Sequence, residues 1–442
     1  MVNRGRPSKA LELWMNGVLV GRWSVTRTNH LFAYAQTWLQ HDQRRPISLS
    51  LPLSQGTTPF RGDVVESFFD NLLPENPNTR RRIAEQFGAR ADRAFDLLEQ
   101  IGRDCAGAIQ LVPVGSVPPD VHKVLADPLD EKAVERLLDS AVARMPYRLV
   151  DEEFRISLAG AQDKIALLVH EGRWCLPHGS TPTTHILKLP IGRVPAGIDL
   201  TTSVENEWLC ARIIQAFGIP VAHSCIQRFG RHKVLVVTRF DRQWQGTWWA
   251  RLPQEDFCQA LGVPAAKKYQ TDGGPGMDAI LDILRGSSRA EIDRRDFLKT
   301  QLIFWLLGAP DGHAKNFSIL IRRGGFFELA PLYDILSAWP HTGAGHNRLD
   351  ERKLKLAMGV RGGRGLHYRL VDIQRRHWDT TAKRNALGND FENVIQEVLG
   401  KVPAVMENLQ QILPPDFPIS VSDPIFTGMR RQAGRLEKMP KG

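Results

Sequence analysis

Cysteine, lysine and long apolar runs are all scarce in this sequence, and each shortage removes a class of explanation. The five cysteines among 442 residues, at 105, 175, 210, 225 and 258, form no closely spaced pair, so neither a zinc ribbon nor a disulfide framework is indicated. No stretch approaches the roughly 20 apolar residues that a membrane-crossing helix needs. The opening residues lack the apolar core of a secretory signal, and the expectation is a cytoplasmic protein with no membrane partner. Internal repeats and low-complexity tracts are absent, which sets aside repeat arrays.

What remains is ordinary globular material, 42% hydrophobic and 24% charged, with length for two or three domains. The unusual feature is a net charge of +10, which suggests an acidic partner without saying anything about fold. That excess is local. Residues 1–10, 361–386 and 428–442 carry +3, +5 and +4, so the rest of the chain is slightly acidic.

Asn16-Gly17 between two apolar-rich runs predicts a hairpin at 11–20, because this pair supplies the two positive-φ positions of a tight turn. Residues 45–52 alternate as a strand does, and helical spacing follows at 64–73, 80–87, 94–101 and 132–145. Strands are expected at 154–157, 165–169 and 183–189. A helix follows at 203–217, where Thr202 and Glu205 have capping-box spacing and Gly218 can close the end. A strand at 233–238 leads into Arg239-Phe240-Asp241. The remainder is mainly helical, at 292–307, 390–412 and 423–437, with a short hairpin through 326–332. The expected organisation is a mobile basic terminus at 1–9, an α+β subdomain at 10–148, a strand-rich lobe at 149–242 and a helical lobe at 243–442.

Chemistry concentrates in the second half. Asp311-Gly-His-Ala-Lys-Asn316 follows an apolar helix, and an Asp and Asn five positions apart on a loop can share one site. The carboxylate accepts a hydroxyl proton while the amide oxygen holds a metal ion. Taken alone the segment also fits a polar capping loop. Eighteen positions later Asp334, after the apolar run 326–329, is a candidate Mg²⁺ ligand or a turn aspartate. Lys188 lies inside an apolar strand in a chain with only 16 lysines against 42 arginines. It is either an edge-strand lysine pointing to water or a buried ammonium that needs a partner, and the next helix offers Glu205 and Glu207, of which Glu207 is the favoured one. The small-residue segment 157–164 between two strands could let backbone N–H groups approach phosphates, although one glycine satisfies neither P-loop pattern and the segment taken alone reads as a hairpin turn. The strand end at 234–238 followed by Arg239-Phe240 stands where a kinase chain crosses between lobes, although on sequence alone a plain strand end followed by a loop is the favoured reading. Small-residue turn, strand lysine, helix glutamate, crossover, apolar helix, paired Asp and Asn, and second Asp occur in the order a two-lobed kinase requires.

Several longer motifs carry a specific resemblance: Phe154-Arg-Ile-Ser-Leu-Ala-Gly-Ala-Gln-Asp-Lys164, Thr181-Pro-Thr-Thr-His-Ile-Leu-Lys-Leu-Pro190, Arg251-Leu-Pro-Gln-Glu-Asp256, Asp311-Gly-His-Ala-Lys-Asn-Phe317 and Lys355-Leu-Ala-Met-Gly359. With Phe68-Phe-Asp-Asn-Leu-Leu-Pro74 and Ile101-Gly-Arg103, they make the sequence resemble the HipA family of serine/threonine kinase toxins over nearly its whole length. The resemblance implies an α+β, two-lobed protein-kinase-like (phosphatidylinositol-kinase-like) fold with an extra N-terminal α/β subdomain and a mainly helical C-terminal lobe. It implies Asp311 as the catalytic base, Asn316 and Asp334 as Mg²⁺ ligands, and Lys188 on the ATP phosphates with Glu207 as its ion-pair partner. Ala159, Gly160, Ala161, Gln162, Asp163 and Lys164 would form the ATP loop. Thr238, Arg239 and Phe240 would form the hinge, with His313, Ala314, Lys315 and Tyr333 close to the nucleotide.

The same resemblance makes Ser157 an autophosphorylation site whose phosphate keeps the ATP loop from closing. It implies a HipB-like helix-turn-helix antitoxin, operator DNA bound through the toxin–antitoxin complex with nucleoid association in that state, and a translation-linked substrate such as glutamyl-tRNA synthetase. The sequence departs from protein kinases in lacking a glycine two positions after Asp334 and in having Ala309-Pro310 before Asp311.

Lys383 and Arg384, with Arg375-Arg376-His377-Trp378, are candidate DNA-phosphate contacts, or a solvated charged face. Arg4-Gly-Arg-Pro7 is similar to a minor-groove hook. Two other functions fit parts of the pattern: a DNA-associated corepressor with vestigial nucleotide binding, and a small-molecule kinase of the aminoglycoside type, which shares the Asp and Asn spacing.

Overall fold

A computed structural model describes residues 9–26, 29–143, 162–194, 197–388 and 391–441. The fold is α+β, and the chain divides into two compact units, Met1–Ile186 with Arg239–Ala266 and Leu320–Phe326, and Leu187–Thr238 with Lys267–Ile319 and Phe327–Gly442. Ser157, Ala159, Gly160, Ala161, Arg4 and Arg6 lie outside the described residues.

The first unit opens on the expected hairpin. Strands Lys9–Met15 and Val18–Thr26 pair antiparallel around Asn16 and Gly17, at φ 48° and 81°. Asn29–Tyr34, Phe60–Arg61 and Ile109–Pro113 complete a five-stranded antiparallel sheet. Buried side chains of helices Asp63–Asp70 and Ala94–Ile101 share its core, in which Trp23 stacks on Phe69 with ring centres 3.9 Å apart. The helix expected at 80–87 starts earlier, at Pro77–Phe87. Asn76 accepts from the N–H groups of Asn78 and Thr79, and Pro77 takes the first helical position, where no N–H is needed. Strands Lys164–His170, Arg173–Pro177 and Ala126–Pro128 form a second antiparallel run.

Residues 45–52 are not a strand; they form a turn with one isolated bridge, Ser48 to Leu51. Side chains meet the backbone needs that a ladder would have met. The Tyr34 hydroxyl accepts from Ile47 N–H at 2.9 Å and donates to the Leu51 carbonyl at 2.5 Å, while Leu49 N–H donates to Glu255 Oε1 at 2.8 Å. Alternation alone cannot distinguish the two solutions, because both satisfy the buried backbone.

Several motif residues meet in this unit as a buried ion cluster. Asp104 contacts Arg239, Arg242 and Arg251 at 3.4, 2.9 and 3.2 Å and accepts from the Thr183 hydroxyl at 2.6 Å; Asp241 pairs with Arg239 at 2.7 Å. Burial alone would push the Asp104 carboxyl up, but the three guanidinium groups outweigh it and hold it well below the carboxylate range.

The second unit begins in strand His185–Lys188, along which the chain passes from one unit to the other. Helix Ser203–Ala216 follows, ending at Phe217 and Gly218, φ 87°. Its expected capping box does not form: Thr202 makes no side-chain cap, and Glu205 pairs with Lys233 instead. Hairpin Ser224–Phe229 and His232–Thr238 is antiparallel. Helices Ala290–Leu307, Phe391–Ile412 and Ile419–Lys438 form the apolar body, with Lys299 from the first bonded to Glu397 of the second at 2.8 Å. Among the described residues, no helix is long and apolar enough to cross a membrane.

Candidate active site

All the catalytic-type residues that carry side-chain bonds to one another belong to the second unit. Lys188, at the end of its strand, is 7% exposed and bridges two acids. Its Nζ donates to Glu207 Oε1 at 2.5 Å and to Asp334 Oδ1 at 3.1 Å. Glu207 is buried, whereas 37% of the Asp334 side chain is exposed. Burial works against the ammonium, but Asp334 and Glu207 overcome it and raise the Lys188 pKa above that of a free lysine. The strand lysine and its partner Glu207 are therefore together, and Glu205 is engaged elsewhere.

Short clamps set this triad. Asn206, beside Glu207, donates to the Ser337 carbonyl at 2.8 Å and accepts from Ser337 N–H at 2.9 Å. On the other side, Leu332 N–H donates to the Pro220 carbonyl and Ala222 N–H to the Leu332 carbonyl, at 2.9 and 2.8 Å. Asp334 itself sits at φ 61°, a left-handed conformation that an aspartate tolerates and a β-branched residue does not. The segment 332–337 is thus held at both ends with the carboxylate of Asp334 turned toward Lys188.

The paired Asp and Asn stand on a tight loop after helix Ala290–Leu307, which Gly308 closes at φ 56°. A Cβ on Gly308 would come within 2.6 Å of the Trp339 ring, and one on Gly312 would come within 2.6 Å of Phe304. The loop is therefore pressed onto the helix body, and that close approach requires glycine at 312. Asn316 Nδ2 donates to the Asp311 carbonyl at 2.7 Å, which turns its amide oxygen away from that bond. Asp311 has a side chain 56% exposed, His313 Nε2 is 3.9 Å from its Oδ1, and His313 is buried. Tyr333 joins the two acidic segments: its hydroxyl donates to the Lys315 carbonyl at 2.9 Å and shares a 2.6 Å hydrogen bond with Ser318 Oγ. Ala314 and Lys315 are buried in the loop's short 3₁₀ turn.

Beside the triad lies a small cleft lined by Ala211, Val221, Ala222, Leu235, Val237 and Ile335, with Glu207, Tyr333 and Asp334 at its polar side. Its lining combines aliphatic side chains with two carboxylates, the chemical makeup of a nucleotide site. The amide oxygen of Asn316 and the half-open carboxylate of Asp334 are hard oxygen donors of the type Mg²⁺ takes. The donor set therefore fits a nucleotide–metal complex.

Other candidate residues fall differently. Gln162 and Asp163 precede strand Lys164–His170 in the first unit, and Asp163 lines a polar surface pocket with Asn76, Arg81 and Arg82. Thr238 ends the hairpin, its N–H donating to the His223 carbonyl. Arg239 is 5% exposed, its guanidinium lies in the Asp104 cluster, and its N–H donates to the Thr184 carbonyl. Phe240 follows it, half-buried in the same unit. Lys383 and Arg384 lie on helix Arg375–Arg384 and line an open pocket with Arg361 and Arg364; Lys383 pairs with Asp379 at 2.6 Å and Arg384 with Asp278 at 3.3 Å. Arg375, His377 and Trp378 are buried, and Arg375 makes a two-pronged contact with Glu392. Those three are packing residues and not part of a basic face: Arg375 is turned toward the C-terminal helices, and His377 stacks on His367 with ring centres 3.9 Å apart.

Sequence reading missed Tyr269. Its hydroxyl donates to Asp311 Oδ1 at 2.5 Å, and its ring meets His313 edge-on at 5.0 Å. The available signal was rarity: the chain has only five tyrosines, and this one stands in a glycine-rich loop.

Residues 156–406 match the HipA-like C-terminal domain family and residues 11–112 the HipA N-terminal domain family. The chain is 34% identical over 420 residues to "Putative kinase Y4mE" of Sinorhizobium fredii, covering 91% of this chain and 93% of that protein. It is 31% identical over 350 residues to the serine/threonine-protein kinase toxin HipA of Shewanella oneidensis, covering 74% and 75%. Its fold matches a chain of the Shewanella oneidensis HipA, HipB and operator DNA complex with a TM-score of 0.77, at 24% identity over 97% of this chain and 98% of that one.

Proposed function

The chain belongs to the HipA family of serine/threonine-protein kinase toxins, and from that premise we propose that its second unit transfers the γ-phosphoryl group of Mg²⁺-bound ATP to a protein hydroxyl. The observation that carries the proposal is the bridge from Lys188 to both Glu207 and Asp334. A buried lysine held between a helix carboxylate and a second, half-open carboxylate is the ground plan of a phosphoryl-transfer site, where positioning and charge neutralisation supply nearly all of the catalysis.

Each residue then has a role. Asp311 accepts the proton of the attacking hydroxyl as the new O–P bond forms and the bond to the β-phosphate oxygen breaks, leaving ADP. Lys188 leans from Asp334 toward the phosphates while Glu207 keeps its ammonium in place. Asn316 and Asp334 would hold the metal, which would supply neutralisation of charge on the phosphate oxygens. Val221, Ala222, Leu235, Val237 and Ile335 line the adenine slot. The ATP-contact roles of residues 159–164, 238–240 and 313–315 rest on the family resemblance.

The resemblance also supports autophosphorylation of Ser157, regulation by a HipB-like helix-turn-helix antitoxin, and autoregulatory operator binding through that complex. Lys383 and Arg384, beside Arg361 and Arg364, are the exposed cations suited to phosphate contact. A translation-linked protein such as glutamyl-tRNA synthetase is the implied substrate, and cytoplasm is the compartment consistent with these partners. Full-length protein incubated with γ-labelled ATP and Mg²⁺ should label itself at Ser157 and label a protein in a lysate. Label appearing only in a small metabolite would favour the aminoglycoside-type reading, and no transfer at all would favour the corepressor.

A further inference from the structure

The loop 267–276 and the motif Lys355-Leu-Ala-Met-Gly359 take no part in the chemistry assigned above, yet the structure links them to the base. Asp311 is an exposed carboxylate on a loop, and such a side chain samples several rotamers unless something holds it. Tyr269 holds it, donating from its hydroxyl to Oδ1 at 2.5 Å.

Tyr269 is held in turn. Its ring meets His313 edge-on at 5.0 Å, and the ammonium of Lys268 lies 5.4 Å from its ring centre. Ala314 N–H points at the Lys268 carbonyl at 3.4 Å, so the backbones of the two loops also meet. Next along the chain, Gln270 Oε1 accepts from Gly359 N–H at 2.8 Å, and a Cβ on Gly276 would lie 2.0 Å from the Gln270 side chain. Gly359 sits in strand Lys355–Gly362, where a Cβ would come within 2.9 Å of Leu366. A connected line of contacts therefore runs from strand Lys355–Gly362, through Gln270, to the Tyr269 hydroxyl on the base.

We propose that Tyr269 is a positioning residue for phosphoryl transfer: it fixes the Asp311 carboxylate through Oδ1, so that Oδ2 is presented to the incoming hydroxyl. The inference rests on Asp311 being the base. Hydrogen bonds to charged acceptors are the stronger class, and loss of this one should lower the transfer rate roughly 10- to 100-fold.

The test uses full-length protein and γ-labelled ATP with Mg²⁺, following label on the chain itself. Tyr269→Phe keeps the ring and its His313 contact. It should lower the saturating rate by that factor, leave the half-saturating ATP concentration within about twofold, and leave the melting midpoint unchanged, since only orientation is lost. In an Asp311→Asn background the same substitution should cause no further loss, because its target charge is gone. A Tyr269→Phe rate within twofold of wild type, an equal loss in both backgrounds, or a loss confined to ATP affinity overturns the proposal while leaving Asp311 as base. Full activity of Asp311→Asn, or no label on wild type, overturns the proposed function and this inference with it.

Discussion

Replacing Glu255 by Gln should change how stability depends on pH, by an amount that can be worked from the structure. Glu255 belongs to the motif at 251–256 and is 1% exposed; Oε1 accepts from Leu49 N–H, and Oε2 is buried with no hydrogen-bond partner among the described residues. Burial pushes its carboxyl up to about 8 from an ordinary 4.5. The folded-state value is the higher one, so between pH 4.5 and 8 the folded chain keeps a proton that the unfolded chain has released. Stability from this group is therefore lost as pH rises, by at most about 1.4 kcal/mol per pH unit and roughly 4–5 kcal/mol across the window. Urea unfolding of both proteins at pH 5, 6, 7 and 8 isolates the effect, because every other titrating group is common to them. The wild type should weaken relative to Glu255→Gln as pH rises, whatever the offset at pH 5. Parallel curves would refute the assignment of a buried, neutral carboxyl.

Two further substitutions probe the site. Lys188→Met leaves Glu207 buried without its cation and should cost about 3–5 kcal/mol of stability as well as phosphoryl transfer; adding Glu207→Gln should restore the melting temperature but not the activity, and recovery of activity would deny Lys188 a catalytic role. Gly312→Ala drives a Cβ into Phe304, which lies within 2.6 Å of it, and should displace the loop enough to lower the labelling rate about 100-fold; an unchanged rate would mean the loop adjusts freely.

Legibility in the sequence followed the physics of each feature. The hairpin at Asn16-Gly17 was readable because its turn chemistry is local, and Lys188 with Glu207 because a scarce lysine in an apolar strand demands a nearby acid. The turn at 48–51 was not readable as a turn: what satisfies its backbone is Tyr34 and Glu255, far away in sequence. The same holds for Arg239 and Arg251, whose common partner Asp104 is more than 130 positions from either. Their segments carry family resemblance, yet these side chains build a buried ion cluster. Glu205 misled as a capping residue because Lys233 offers a charged alternative that no capping rule anticipates. Tyr269 was hard to read for a related reason: beyond the rarity of tyrosine in this chain, what marks it is the hydroxyl's meeting with Asp311 across 42 positions.

The central claim is that Asp311, Asn316, Asp334 and Lys188 make one phosphoryl-transfer site. Its most direct measurement is the rate of label transfer from γ-labelled ATP by wild-type and Asp311→Asn protein, with Mg²⁺ and with excess chelator. Wild type should transfer label with Mg²⁺ and not with chelator, and Asp311→Asn should lower the Mg²⁺-dependent rate at least about 100-fold. Equal rates for the two proteins would contradict it.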